Sequence, residues 1–87
     1  MKGNPNAKKA IMTAVRDQLN SPESPYVKEA HNRLIKEGHT KEEVMNMLGV
    51  VLSTEMWEIS VKQRPFDQKT YIQRLEGLPD MNWLDDN

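Results

Sequence analysis

The sequence contains no cysteine, which removes both a disulfide framework and a thiolate zinc site from consideration. Its formal net charge is only −1, so no overall positive field attracts nucleic acid or an anionic membrane surface. No apolar run is long enough to span a bilayer, and the charged start of the chain lacks the apolar stretch of a signal peptide. These absences predict a cytoplasmic protein that binds neither nucleic acid nor membrane.

The sequence motifs of the common enzyme classes are also missing. There is no glycine-rich loop to hold a phosphate, and no serine lies in a nucleophile elbow. His31 and His39 are the only imidazoles, and no cluster of further ligands surrounds them in the sequence. No catalytic residue, metal site or cofactor is therefore predicted, although these patterns do not exclude an enzyme.

Capping residues and helix breakers divide the 87 residues into four helices. The start signals are Asn4-Pro5, Ser24-Pro25, Thr40 with Glu43, and Asp67. We expect helices at residues 5–19, 25–37, 41–63 and 68–76, followed by a tail at 78–87 that could pack or remain mobile. A chain of this length forms one small core, so the predicted fold class is all-α, a single four-helix domain.

The third predicted helix is apolar on nearly all of its sides. Its broad face carries Val44, Leu48, Val51, Leu52 and Ile59, flanked by Met45 and Met56. A second ridge of Val50, Trp57 and Val61 lies nearly opposite. A helix of this kind is either buried among neighbours or part of an interface. We therefore expect it to be central and largely buried.

The second ridge supplies the main functional hypothesis. Small side chains at Asn46, Gly49, Ser53 and Ser60 would let another helix approach beside it. Helix four or the tail with Trp83 could cover the ridge, but otherwise an exposed apolar patch marks an interface. The sequence then predicts a non-catalytic protein–protein interaction module, whose partner is another protein or a second copy in a homodimer.

Glu55 lies on the broad face of helix three, where an unpaired carboxylate would be costly to bury. One interpretation is a catalytic or ligand-binding acid at the centre of a small-ligand or metal-dependent enzyme. The favoured interpretation is a structural glutamate, and its candidate partners are Tyr71, His31, Arg33 or a backbone N–H.

Basic residues near the start of the chain, namely Lys2, Lys8, Lys9 and Arg16, could contact phosphates, and helices two and three have the order of a helix-turn-helix. The would-be recognition helix is expected to expose Glu42, Glu43 and Glu58, which would repel a DNA backbone. Solvated helix faces explain the basic residues better, so nucleic-acid binding is not predicted.

The order of several weak signals resembles an uncharacterised family of small, all-helical bacterial proteins of unknown activity. The signals span Asn4 to Pro79 and comprise Asn4-Pro5, Gln18-Leu19, Leu34 with Glu37-Gly38, the run 43–55, Pro65-Phe66-Asp67, Tyr71, Leu75 and Leu78-Pro79. The resemblance implies a set of helix-borne histidines and glutamates that could hold a metal. The matching histidine positions here are Lys8, Met12, Glu42 and Asn46, which leaves only Glu43 and Glu55 as potential ligands.

Overall fold

A computed structural model describes residues 5–86, with side chains over 7–84, and within that range it contains four α-helices and no strand. The helices are α1 (Pro5–Leu19), α2 (Pro25–Lys36), α3 (Lys41–Val61) and α4 (Gln68–Gly77), followed by a short 3₁₀ helix at Asn82–Asp86. The predicted all-α four-helix fold is confirmed. The predicted cap Asn4, Lys2 of the basic group, and the terminal Asn87 lie outside the described residues.

α3 occupies the centre of the fold and packs against α1, α2 and α4, as predicted. The core comprises Val15, Val27, Ala30, Leu34, Val44, Met47, Leu48, Val51, Leu52, Tyr71, Leu75 and Leu78. Met56, which was expected to flank the broad face of α3, is exposed, and so is Ile35 on α2. Ile35 is exposed because α2 buries only a narrow stripe that includes Leu34, and Ile35 is rotated by about 100° from Leu34 around the helix.

The start of α3 is fixed by the capping box that the sequence predicts. The backbone N–H of Glu43 donates to Thr40 Oγ1 at 3.1 Å, and the backbone N–H of Thr40 donates to Glu43 Oε1 at 2.8 Å. α4 starts in a similar way, since Asp67 Oδ1 accepts a hydrogen bond from the backbone N–H of Thr70 at 3.1 Å. These local bonds set where both helices begin.

α3 ends at Val61, two residues earlier than predicted. Gln63 has a φ of +52°, a left-handed conformation that stops the helix and reverses the chain. Pro65 has no N–H to continue the helical bonding. The reversal carries Arg64 back beside the last turns of its own helix, and this placement determines the charge cluster described below.

The segment after α4 packs onto the domain over the part that the structure describes. Leu78 is buried, and Met81 and Trp83 are partly buried against the core. The Leu78–Pro79 peptide bond is cis. None of the helices in residues 5–86 has both the length and the hydrophobicity needed to cross a membrane.

Candidate functional site: the outer face of α3 and the buried charge cluster

Glu55 is buried, with a relative exposure of 1%, and both of its carboxylate oxygens have partners. Arg64 donates from Nη2 to Oε1 at 2.9 Å and from Nη1 to Oε2 at 3.0 Å. The backbone N–H of Asp67 also donates to Oε2, at 2.9 Å. A bidentate guanidinium together with a backbone donor is a strong arrangement for a buried carboxylate. The observed bonds are those of a structural glutamate, held by Arg64 and one backbone N–H.

The three side chains considered as partners for Glu55 form other bonds. The Tyr71 hydroxyl donates to Gln18 Oε1 at 2.6 Å, and burial raises the pKa of Tyr71 to about 12. Arg33 donates to the backbone carbonyls of Leu75 and Glu76 at 3.1 and 3.3 Å. The Nδ1 of His31 lies 3.1 Å from an amide oxygen of its neighbour Asn32. The prediction of a backbone donor was therefore right, whereas the three side-chain candidates were wrong.

Glu58 was expected to be exposed, and this expectation was wrong. Its relative exposure is 5%, and its carboxylate accepts hydrogen bonds from two arginines. Arg64 Nη2 lies 2.7 Å from Oε1, while Arg74 lies 3.0 Å from Oε1 through Nη1 and 3.3 Å from Oε2 through Nη2. The hydrogen bonds from Arg74, with a further contribution from Arg64, lower the pKa of Glu58 to about 2 against the opposing effect of burial.

Three separate parts of the chain position this cluster of Glu55, Glu58, Arg64 and Arg74. The two acids lie one turn apart on α3, Arg64 comes from the α3–α4 connection, and Arg74 projects from α4. The spacing of three residues between the acids was the available sequence signal, because residues three apart share a helix face. A buried Glu55 therefore implied a Glu58 on nearly the same side.

The cluster joins two carboxylates to two guanidiniums, and Lys62 Nζ lies 3.7 Å from Glu58 Oε2 at its edge. Hydrogen bonds from Arg64 to Glu55, and then to Glu58, raise the pKa of the Arg64 guanidinium above its ordinary value. The nearby Asp67 has a lowered pKa, chiefly because its carboxylate accepts the backbone N–H of Thr70. The arrangement joins α3, the connection and α4, and at neutral pH it holds Glu58 as a carboxylate already bonded to two cations.

The residues of the predicted interaction ridge lie on the outer side of α3. Val50 is half-buried, whereas Trp57 is 50% exposed and Val61 is 58% exposed. Trp83 does not lie over Trp57, because its ring contacts Arg74, whose guanidinium carbon is 4.6 Å from the ring centroid. Lys62 Nζ is 5.9 Å from the Trp57 ring centroid. The ridge is therefore only partly covered by its own chain.

No charged side chain is exposed on the length of α3 between residues 44 and 61. The only charged residues in that segment are Glu55 and Glu58, and both are buried. We call the outward-facing residues the uncharged face, and they are Asn46, Val50, Ser53, Trp57, Ser60 and Val61. Because 29% of the residues in the chain are charged, a helix face of this length without an exposed charged side chain is distinctive.

A groove runs along the uncharged face as two adjoining depressions. The first, of about 520 Å³, lies between α1 and α3, and the second, of about 440 Å³, lies between α3 and the 3₁₀ helix. Ser53 and Thr54 line both, while Ile11, Met12 and Gly49 line the first alone. The side chain of Met12 packs directly over Gly49, because a Cβ on this glycine would lie 2.5 Å from Met12 Cε.

The positions that correspond to the ligands of the resembling family do not converge on a metal site. Lys8, Glu42 and Asn46 are exposed, and Met12 is half-buried. Glu43 is engaged in the capping box of α3. In the described part of the chain, no group of three or more histidine, aspartate and glutamate side chains is placed to hold a metal ion.

Comparison with known proteins adds no assignment. No protein-family model, no curated protein sequence and no solved structure matches the chain. The resemblance to an uncharacterised bacterial family stays a prediction from the sequence, and the functional argument depends on the geometry of α3.

Proposed function

We propose that this chain is a small, cytoplasmic, non-catalytic protein–protein interaction module whose partner binds the uncharged face of α3. The observation that carries the proposal is the absence of any exposed charge between residues 44 and 61, together with a half-exposed Trp57 on that surface. Its lack of cysteine is in keeping with a reducing compartment.

Composition supports a protein partner for this surface. The buried centres of protein interfaces are poor in charged residues and rich in tryptophan and methionine. The uncharged face has these properties, since Trp57 and Val61 are exposed on it and Met12 lines the adjoining groove. The adjoining groove offers a concave apolar surface next to the projecting indole. A few large side chains seated in such hollows supply most of the binding energy in an interface.

The alternative of an enzyme built around Glu55 receives no support from its surroundings. A catalytic acid needs an oxygen that can reach the substrate, whereas both oxygens of Glu55 are bonded to Arg64 and to the backbone N–H of Asp67. The neighbouring Glu58 is bonded to Arg64 and Arg74. The cluster has the properties of a structural clamp between α3 and α4.

The proposal is tested by capturing partners from an extract of the cell of origin with three forms of the chain. We expect the wild type and Gln73→Glu to capture the same protein, and Trp57→Glu to lose it. Gln73→Glu is the matched control, because it adds the same charge at an exposed position on α4. Circular dichroism should show that all three are folded. Equal capture by Trp57→Glu would contradict the proposed surface.

A further inference from the structure

We infer that the chain has a second binding site, a cleft between α1, α2 and α3 that binds a small amphipathic carboxylate. The cleft is open to solvent and has a volume of about 640 Å³, within the range of about 300–1,000 Å³ that is usual for small-molecule sites. It combines an apolar floor with a rim that carries more positive than negative charge. The inference goes beyond the proposed function, because it concerns another surface and a small ligand instead of a protein.

The floor of the cleft is formed by Met12 and Leu19 of α1 and by Met45 of α3. All three side chains are half-buried, and Leu19 and Met45 pack against the core. Methionine side chains are flexible and polarisable, so they adjust to the shape of an apolar group that lies against them. The floor therefore suits a short hydrocarbon chain, whose removal from water favours binding.

The rim of the cleft carries two cations, Arg16 of α1 and Lys41 of α3, and one acid, Glu42. Within residues 7–84, the guanidinium of Arg16 and the ammonium of Lys41 form no hydrogen bond or ion pair. The other three arginines of the chain are all held in ion pairs with glutamates. A guanidinium binds a carboxylate through two parallel N–H donors. Charge complementarity therefore favours an anion whose head group is bound by Arg16.

His31 of α2 completes the lining of the cleft. Its Nδ1 lies 3.1 Å from Asn32 Oδ1, and because an amide oxygen only accepts hydrogen bonds, Nδ1 carries the proton of this contact. Nε2 has no hydrogen-bond partner among the described residues and remains for a ligand. The second histidine of the chain, His39, does not line the cleft, and its Nδ1 lies 3.9 Å from Glu43 Oε1. The two imidazoles therefore provide a reporter inside the site and a reference outside it.

Nuclear magnetic resonance of the full chain at neutral pH tests the site through these two imidazoles, with octanoate as the probe. We expect octanoate to shift the ring signals of His31 in a saturable way and to leave those of His39 nearly unchanged. Acetate has the charge without the chain, and octan-1-ol has the chain without the charge. Each should bind at least about tenfold more weakly than octanoate, because each lacks one of the two contributions to binding.

Charge substitutions distinguish the proposed site from unspecific binding. Arg16→Gln should weaken octanoate binding by about tenfold or more, because it removes the charge-assisted hydrogen bonds to the carboxylate. Lys69→Gln is the matched control, since it removes the same charge from an exposed position on α4 outside the cleft. Circular dichroism should show that both variants are folded, because both residues are exposed.

Three results would overturn the inference. They are the absence of a saturable His31 shift with octanoate, equal affinity for acetate or octan-1-ol, and equal affinity of Arg16→Gln and the wild type for octanoate. Trp57 does not line the cleft, so Trp57→Glu should bind octanoate as the wild type does. The outcome is therefore independent of the partner capture that tests the uncharged face.

Discussion

Arg74 of α4 donates hydrogen bonds to both carboxylate oxygens of Glu58 on α3, at 3.0 and 3.3 Å, and so joins the two helices through a buried ion pair. The same carboxylate accepts a third bond, at 2.7 Å, from Arg64. A buried charge is tolerated only when it is paired in this way, because isolating it from water is costly. The packing of α4 on α3 therefore depends on charges as well as on the apolar core.

The first prediction concerns acid stability. The pKa of Glu58 is lowered from 4.5 to about 2 in the folded protein, so the unfolded chain binds more protons than the folded chain between these values. The contribution of Glu58 to the free energy of unfolding is fully present above about pH 4.5 and is lost as the pH falls toward 2. Urea unfolding across this range should show a steeper loss for the wild type than for Glu58→Gln.

The matched control for that experiment is Glu42→Gln, because Glu42 is exposed on the same helix. Its stability should follow the slope of the wild type. If Glu58→Gln and the wild type lose stability in parallel from pH 4.5 to 2, the ion pair does not have the strength that its geometry indicates.

The second prediction concerns the core of α3. Leu48 is 1% exposed and Leu52 is 6% exposed, so truncating either to alanine removes buried methyl groups and leaves a cavity. Each variant should lose about 2–5 kcal/mol of unfolding free energy. Met56→Ala on the same helix removes a side chain that is 50% exposed and should have a much smaller effect. Thermal unfolding followed by circular dichroism measures all three, and unchanged midpoints for both leucine variants would show that they are not core residues.

The third prediction concerns the coupling between Glu55 and Arg64. Glu55→Gln should keep the fold and lose on the order of 1–3 kcal/mol, because the amide retains part of the hydrogen bonding. Arg64→Met should lower the melting temperature further, since it leaves two buried carboxylates facing only one arginine. The double variant should then be more stable than the sum of the two single losses implies, because residues in one network are not additive.

Calorimetry with Zn²⁺ and Mn²⁺ completes that test. We expect neither ion to raise the melting temperature of the wild type, because both oxygens of Glu55 already have partners. A rise that disappears in Glu55→Gln would show that the acid binds a metal and would restore the site implied by the resembling family.

The fourth prediction concerns the segment after α4. Trp83 stacks on Arg74, with its ring centroid 4.6 Å from the guanidinium carbon, and so shields the bond of Arg74 to Glu58. Trp83→Ala should therefore lower the unfolding free energy by about 1–2 kcal/mol, the upper range for such a cation–π contact. Chemical denaturation measures the loss. Asn82→Ala, at an exposed neighbouring position, should leave stability unchanged, and an equal loss in both would assign the effect to the 3₁₀ helix as a whole.

The sequence by itself determined the features that depend on neighbours within a few residues. The capping box of Thr40 and Glu43 and the cap at Asp67 use side chains that bond to a backbone three residues away, so their spacing was sufficient. The broad face of α3 followed from helical periodicity, and Val44, Leu48, Val51 and Leu52 are buried as expected. The all-α class follows from the same local rules.

The tertiary structure decided which helix faces are covered and which distant charges meet. Arg64 reaches Glu55 and Glu58 only because Gln63 adopts a left-handed conformation and turns the chain back. The groove beside Trp57 exists because α1 and the 3₁₀ helix lie along the two sides of the uncharged face. Periodicity gives the direction of each side chain from its own helix, but burial depends on how the helices pack against one another, which no local spacing encodes.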